Sequence, residues 1–133
     1  MWPFRRRAER PLGPRGERLA EKLLRKQGMK RLARNYRCTG GEIDLIALDR
    51  STRKSLGAET VAFVEVKTRS SDDYTDPEAA VDDEKRRRIL RASRHYLASH
   101  PAAEGLNLRY DIVSVLCRPG ERPQLKHIPD AFR

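Results

Sequence analysis

In the run Val61-Ala62-Phe63-Val64-Glu65-Val66-Lys67-Thr68-Arg69, an acid and a lysine stand two residues apart among apolar neighbours. The strand period of two puts Val61, Phe63, Glu65, Lys67 and Arg69 on one face and Ala62, Val64, Val66 and Thr68 on the other. Glu65 and Lys67 then point the same way, about 7 Å apart along the strand. A carboxylate and an ammonium in such a segment are costly unless paired or bound. A structural ion pair would satisfy them too, and an ExK triplet comes cheaply in a chain with 36 % charged residues. Asp44 narrows the choice. It interrupts the apolar strand Gly41-Glu42-Ile43-Asp44-Leu45-Ile46-Ala47-Leu48, where period two gives it the face of Ile46 and Leu48. If the two strands pair as a hairpin across residues 49–60, Asp44 and Glu65 converge. Two carboxylates with a neighbouring backbone carbonyl make a hard oxygen site suited to Mg²⁺ or Mn²⁺. Lys67 beside them can orient and help deprotonate an attacking water, or stabilise charge on a phosphate.

Three further residues have two readings each. Glu17 lines up with Ala20 and Leu24 on the inward stripe of a first helix, yet an acid in a first turn is also favoured by the macrodipole alone. Lys85 lies between Val81 and Ile89 at four-residue spacing, as a snorkelling lysine or as a phosphate contact from across the cleft. Asp111, between Tyr110 and Ile112, is either a core partner for an arginine or a member of the site. His95, His100 and His127 show no ligand spacing, and Cys38 and Cys117 form neither a disulfide framework nor a zinc pattern.

The elements that must hold these residues follow from periodicity and punctuation. Residues 1–14 carry Pro3, Pro11, Gly13 and Pro14 with four arginines and no period, which predicts a disordered basic arm. From near Gly16, Leu19, Ala20, Leu23 and Leu24 predict a helix that stops at Gly28. An Arg-rich edge strand over 29–38, a turn at Gly40-Gly41 and a strand over 42–48 come next. A polar loop over 49–59 then leads to the strand over 61–69. These last two strands are apolar on both faces and need cover on both sides. After an acidic loop, Asp76 as N-cap and Pro77 as first helical residue predict a helix to about Ser99. Strands over 108–117 and 125–128 complete an α-β-β-β-α-β-β order. That order is an α/β domain with a central mixed β-sheet flanked by helices, over residues 15–133.

Charge distribution bears on partners. The 133 residues carry a net charge of +10, with 29 Lys and Arg against 19 Asp and Glu. Residues 16–38 and 84–100 are strongly basic, and the acidic stretch 55–83 lies between them. Single charge runs are usually solvated faces. A whole domain with this excess points instead to a polyanionic partner. No apolar run approaches the roughly 20 residues needed to span a bilayer, and no apolar core follows Arg5, Arg6 and Arg7 as a secretory signal would require. The expectation is a soluble cytoplasmic protein with no membrane partner.

Gly16-Glu17, Gly41-Glu42-Ile43-Asp44-Leu45-Ile46, Phe63 to Arg69, Lys85 and Arg109-Tyr110-Asp111-Ile112-Val113 together resemble the YraN family of small bacterial predicted endonucleases. That family groups with the PD-(D/E)xK nucleases, and the archaeal Holliday-junction resolvases are similar in pattern. The resemblance implies a restriction-endonuclease-like fold. In it Asp44 and Glu65 match the metal-binding acids, Lys67 the motif lysine and Glu17 the N-terminal helix acid. Where the superfamily often has Pro before the first acid, this chain has Ile43.

The resulting expectation is a Mg²⁺- or Mn²⁺-dependent endonuclease on nucleic acid, DNA ahead of RNA, and on branched or structured DNA in particular. Asp44, Glu65 and the carbonyl of Val66 would hold the ion, Lys67 would position the water, and Glu17 would hold a second ion or the water. Arg18, Arg34, Arg37, Lys85, Arg86, Arg87, Arg88 and Arg91 would grip the backbone. The competing expectation is a non-catalytic nucleic-acid-binding or assembly protein on the same fold. A basic RNA-associated protein finds less support, because the aromatic residues are scattered along the sequence. A homodimer is compatible with the sequence.

Overall fold

The computed structural model describes residues 12–70 and 81–133. Helix α1 (Leu12–Lys26) buries Ala20 and Leu24. It ends where Gly28 adopts φ 86° and the amides of Gly28 and Met29 return to the carbonyls of Arg25 and Leu24, a left-handed cap open to glycine. The helix starts before the expected Gly16. Gly13 and Pro14 fall in its first turn, where amides have no intrahelical partner to lose. The rest of the expected arm, residues 1–11, lies outside the described residues.

Strands β1 (Lys30–Cys38) and β2 (Gly41–Asp49) form a hairpin. The connection expected to be a plain loop holds a short helix, α2 (Thr52–Leu56), closed by Gly57, before β3 (Thr60–Arg69). Helix α3 (Asp83–Ser99) begins later than expected. Asp82 has an extended backbone and its carboxylate accepts the Lys85 amide, so the N-cap is Asp82; the proposed cap Asp76 and Pro77 lie outside the described residues. A 3₁₀ turn at Pro101–Ala103 leads to β4 (Asn107–Leu116) and β5 (Gln124–Phe132). β5 outruns the expected 125–128 because it is an edge strand, where Pro129 costs no ladder bond, and an irregularity near left-handed Asp130 absorbs the misfit.

The five strands make one mixed sheet in the order β1-β2-β3-β4-β5. β3 and β4 are parallel and joined through α3; the other neighbours are antiparallel. Each face has its own core. Val61, Phe63, Ile46 and Ile112 pack under α3 with Ile89 and Tyr96. Leu45, Ala62, Val64 and Val113 pack under α1 with Ala20 and Leu24. The cover on both sides that the apolar strands require is therefore supplied by one helix per face. Gly41 lets α3 approach β2 closely, since a Cβ there would strike the Arg88 carbonyl and lie 2.9 Å from the Ala92 nitrogen.

One local departure positions the site. Ile46 belongs to the α3 core and Leu45 to the α1 core, as period two requires, yet Ile43 lies on the α3 side as well. The alternation breaks at Asp44. Across the ladder, Arg34 pairs with Leu45 and Tyr36 with Ile43, so left-handed Asn35 (φ 47°) stands opposite Asp44 at the same break.

Candidate functional site

The β2–β3 ladder runs from Asp49–Thr60 to Leu45–Val64 and stops there. Beyond it, the Val66 amide donates to Asp44 Oδ2 at 2.8 Å. The Asp44 carboxyl thus takes the place of the missing strand partner. This corrects the expectation that it shares a face with Ile46 and Leu48: the bend at Asn35 and Asp44 turns the side chain toward the gap between the strands. The N–H and C=O of one strand residue point to the same edge, so the Val66 carbonyl faces this gap too.

Glu65 projects from the α3 face of β3, is buried, and lies within hydrogen-bonding reach of the Asp44 carboxyl. Burial, and then the charge of Glu65, push the Asp44 carboxyl up to about 8, against the pull of the Val66 amide. Lys85 on α3 places its Nζ 2.5 Å from Glu65 Oε2. Burial alone would pull Lys85 down, but the hydrogen bond and charge of Glu65 outweigh it and raise it above the ordinary lysine value. Lys67 moves the other way. Burial and the neighbouring Lys85 lower it, only partly offset by Glu65. Glu17, on the first turns of α1, is raised by burial and by the charges of Glu65 and Glu42, while a hydrogen bond from Asn35 opposes the rise. Glu17, Asp44, Glu65, Lys67 and Lys85 therefore come together from two helices and two strands. Among the described residues no three His, Cys, Asp and Glu side chains gather as metal ligands. A cation at this place would rest on two carboxylates with backbone and water oxygens.

The basic residues divide. Arg18, Arg87 and Arg91 are exposed. Arg37 and Arg88 flank Glu42 at 3.6 and 3.3 Å. Arg34 is committed elsewhere: its guanidinium forks onto buried Glu21 at 2.7 and 3.1 Å, with Arg25 and Arg31 on the same carboxylate. Arg86 is turned inward, its guanidinium 6.0 Å from the Phe132 ring centre. Arg34 stays exposed with its charge paired to Glu21, and Arg86 is drawn toward Phe132; neither partner is revealed by neighbours in sequence.

Asp111 is a core partner. Fully buried, it accepts two bonds from Arg109, one contact from His127 Nε2 and the Asp130 amide, all within 3.0 Å. The aromatic residues scattered in sequence connect in space: Tyr36, Tyr96, Phe63, Tyr110 and Phe132 form a run of ring contacts. Phe63, Tyr96 and Phe132 are buried, so this run is core. Sequence reasoning missed Asn35 and Glu21. Asn is the residue that most readily takes a left-handed backbone outside glycine, and Glu21 stands four residues before Arg25; both signals were present but weak.

A family model described as "Uncharacterised protein family UPF0102" matches residues 16–115. That stretch contains every motif on which the resemblance to YraN rests. A UPF0102 protein of Nocardia farcinica is 45 % identical over 121 residues, covering 91 % of this chain and 88 % of its own length. One from Geobacter metallireducens is 41 % identical over 121 residues, 91 % of each chain. Another from Trichlorobacter lovleyi is 36 % identical over 130 residues, 98 % of this chain and 96 % of its own.

Proposed function

The chain belongs to the UPF0102 family, and from the site it carries we propose that it is a metal-dependent phosphodiester hydrolase, an endonuclease acting on branched or otherwise structured DNA. The observation that carries this reading is the meeting of Asp44 and Glu65 in the gap where β2 and β3 part, with Lys67 and Lys85 beside them. Two carboxyls this close hold a proton between them at neutral pH unless a cation takes its place. A Mg²⁺ or Mn²⁺ ion fits that donor set, since such ions accept one or two carboxylates and leave other positions to water and phosphate oxygens. Asp44, Glu65 and the Val66 carbonyl would hold it. When bound, it would supply Lewis-acid stabilisation of phosphate charge and a more acidic water.

The chain's own groups do the rest. Lys67, lowered by burial and by Lys85, can take up or release a proton near the attacking water. Lys85 offers positive charge to a phosphate oxygen from the α3 side of the gap. Glu17 accepts a hydrogen bond at the α1 side. The exposed arginines of α3 hold the strand by its phosphates without reading its bases.

The test is incubation of purified protein with branched, single-stranded and duplex DNA in Mg²⁺ and in Mn²⁺, beside Asp44→Asn and Lys67→Ala. Cleavage is expected with the wild type and is lost together with metal affinity in Asp44→Asn. In Lys67→Ala metal binding survives and cleavage falls by roughly two to four powers of ten. If the wild type binds DNA but cuts it with neither metal, and both variants alter only stability, the cluster is structural and the chain is a nucleic-acid-binding or assembly protein.

A further inference from the structure

On the α1 side of the bend at Asp44, a cavity of about 260 Å³ opens between α1 and the β1–β2 ladder. Leu45, 2 % exposed, and Pro14 give it apolar walls. Asn35 and Glu17, hydrogen-bonded to each other, line it with an amide and a carboxyl. Arg34, exposed and paired with Glu21, and exposed Arg18 also line it. Glu17 belongs to this cavity and also feels the charge of Glu65, so the two spaces adjoin.

The lining suits a small molecule with both apolar and polar groups: two apolar side chains stand beside an amide, carboxyls and guanidinium groups. Asn35 adds an independent sign. Asn35 takes a left-handed backbone (φ 47°) within β1, a conformation that asparagine adopts more readily than other non-glycine residues and that re-aims the side chain. Here it sets the amide into the cavity opposite Asp44.

We propose that this cavity receives one unpaired nucleotide of a DNA strand, with its base beside Pro14 and the base edge on Asn35 and Glu17. Arg18 takes an adjoining phosphate. The proposal rests on the hydrolase reading and gives it a substrate class. A nucleotide already out of the stack enters without the unpairing cost that a duplex base incurs, so junctions, flaps and bulges are preferred over plain duplex.

The experiment uses the full chain without divalent metal, in chelator, so that no cleavage is needed. A hairpin duplex with one unpaired adenosine is compared with the same hairpin carrying an abasic site there, by fluorescence anisotropy. The wild type is expected to bind the base-bearing hairpin about tenfold more tightly, the effect of one good set of base contacts. Asn35→Gly keeps the left-handed backbone accessible while removing the amide. It should bring that ratio near one and leave affinity for plain duplex unchanged. A 2-aminopurine at the unpaired position should change its emission on binding to the wild type. Equal wild-type affinity for the two hairpins, or a ratio that survives in folded Asn35→Gly, overturns the pocket. Base discrimination without cleavage in Mg²⁺ or Mn²⁺ upholds the pocket and overturns the hydrolase; cleavage without discrimination does the reverse.

Discussion

Asp44 keeps a proton that an ordinary aspartate gives up, because it is buried and faces Glu65; its pKa moves from 3.8 to about 8. Between those values the folded metal-free protein binds a proton that the unfolded chain does not. The stabilisation from this group is therefore complete below about pH 4 and is lost as pH rises through about 8. Asp44→Asn removes that dependence. In chelator at pH 9 the variant should melt at least about 3 °C above the wild type, and at pH 4 the gap should close or reverse. Thermal scans across pH read this directly, and a variant that melts lower at pH 9 would mean that Asp44 is ionised and paired in the native state. Glu65 has a different counter-charge: Lys85 stands against it. The two acids of the site are thus held by different means, one by protonation and one by a lysine, and the cation of the proposed reading would have to displace both.

At the scale of elements, the site depends on how closely α3 lies on β2, because α3 carries Lys85 and β2 carries Asp44. Gly41 sets that distance. A methyl group there meets the backbone of Arg88 and Ala92, which cannot turn aside. Gly41→Ala is expected to cost about 1–3 kcal/mol in urea unfolding and, on the proposed hydrolase reading, to reduce cleavage by shifting Lys85 from Glu65. Gly16 makes the instructive comparison. A methyl group there would meet the Thr68 side chain rather than backbone, so Gly16→Ala should cost less. Equal losses for both would show that helix position is not governed by these contacts.

At the scale of the molecule, the net charge of +10 favours the polyanionic partner of the proposed reading, but only outward-facing cations release counterions. Arg87, Arg91 and Arg94 are exposed and spaced along one side of α3, whereas Arg86 is drawn toward Phe132. Replacing the first three by Gln should reduce the slope of log K against log salt by about 2–3, alike for different DNA sequences. Arg86→Gln should leave that slope nearly unchanged. Binding titrations at several salt concentrations check both, and a sequence-dependent loss would point to base contacts from α3. No helix among the described residues is long and apolar enough to cross a membrane.

Periodicity alone determined the order of the five strands and the two long helices, the edge position of the Arg-rich strand and the need for a helix on each face, because those follow from local spacing of apolar residues; the short helix α2 was not legible in it. It also singled out Glu65, Lys67 and Asp44, since charge in an apolar strand is costly wherever the strand lies. Other features came only with the tertiary structure. Which arginines are already partnered depended on residues far away in sequence: Arg34 pairs with Glu21 while staying exposed, and Arg86 is drawn toward Phe132. Asp111 became a core residue once Arg109, His127 and the Asp130 amide closed around it. The direction of Asp44 was decided by the end of the β2–β3 ladder and the left-handed Asn35 opposite it. A strand's alternation is a local rule, and it fails where two strands bend together, so only their pairing could aim that carboxyl at the gap.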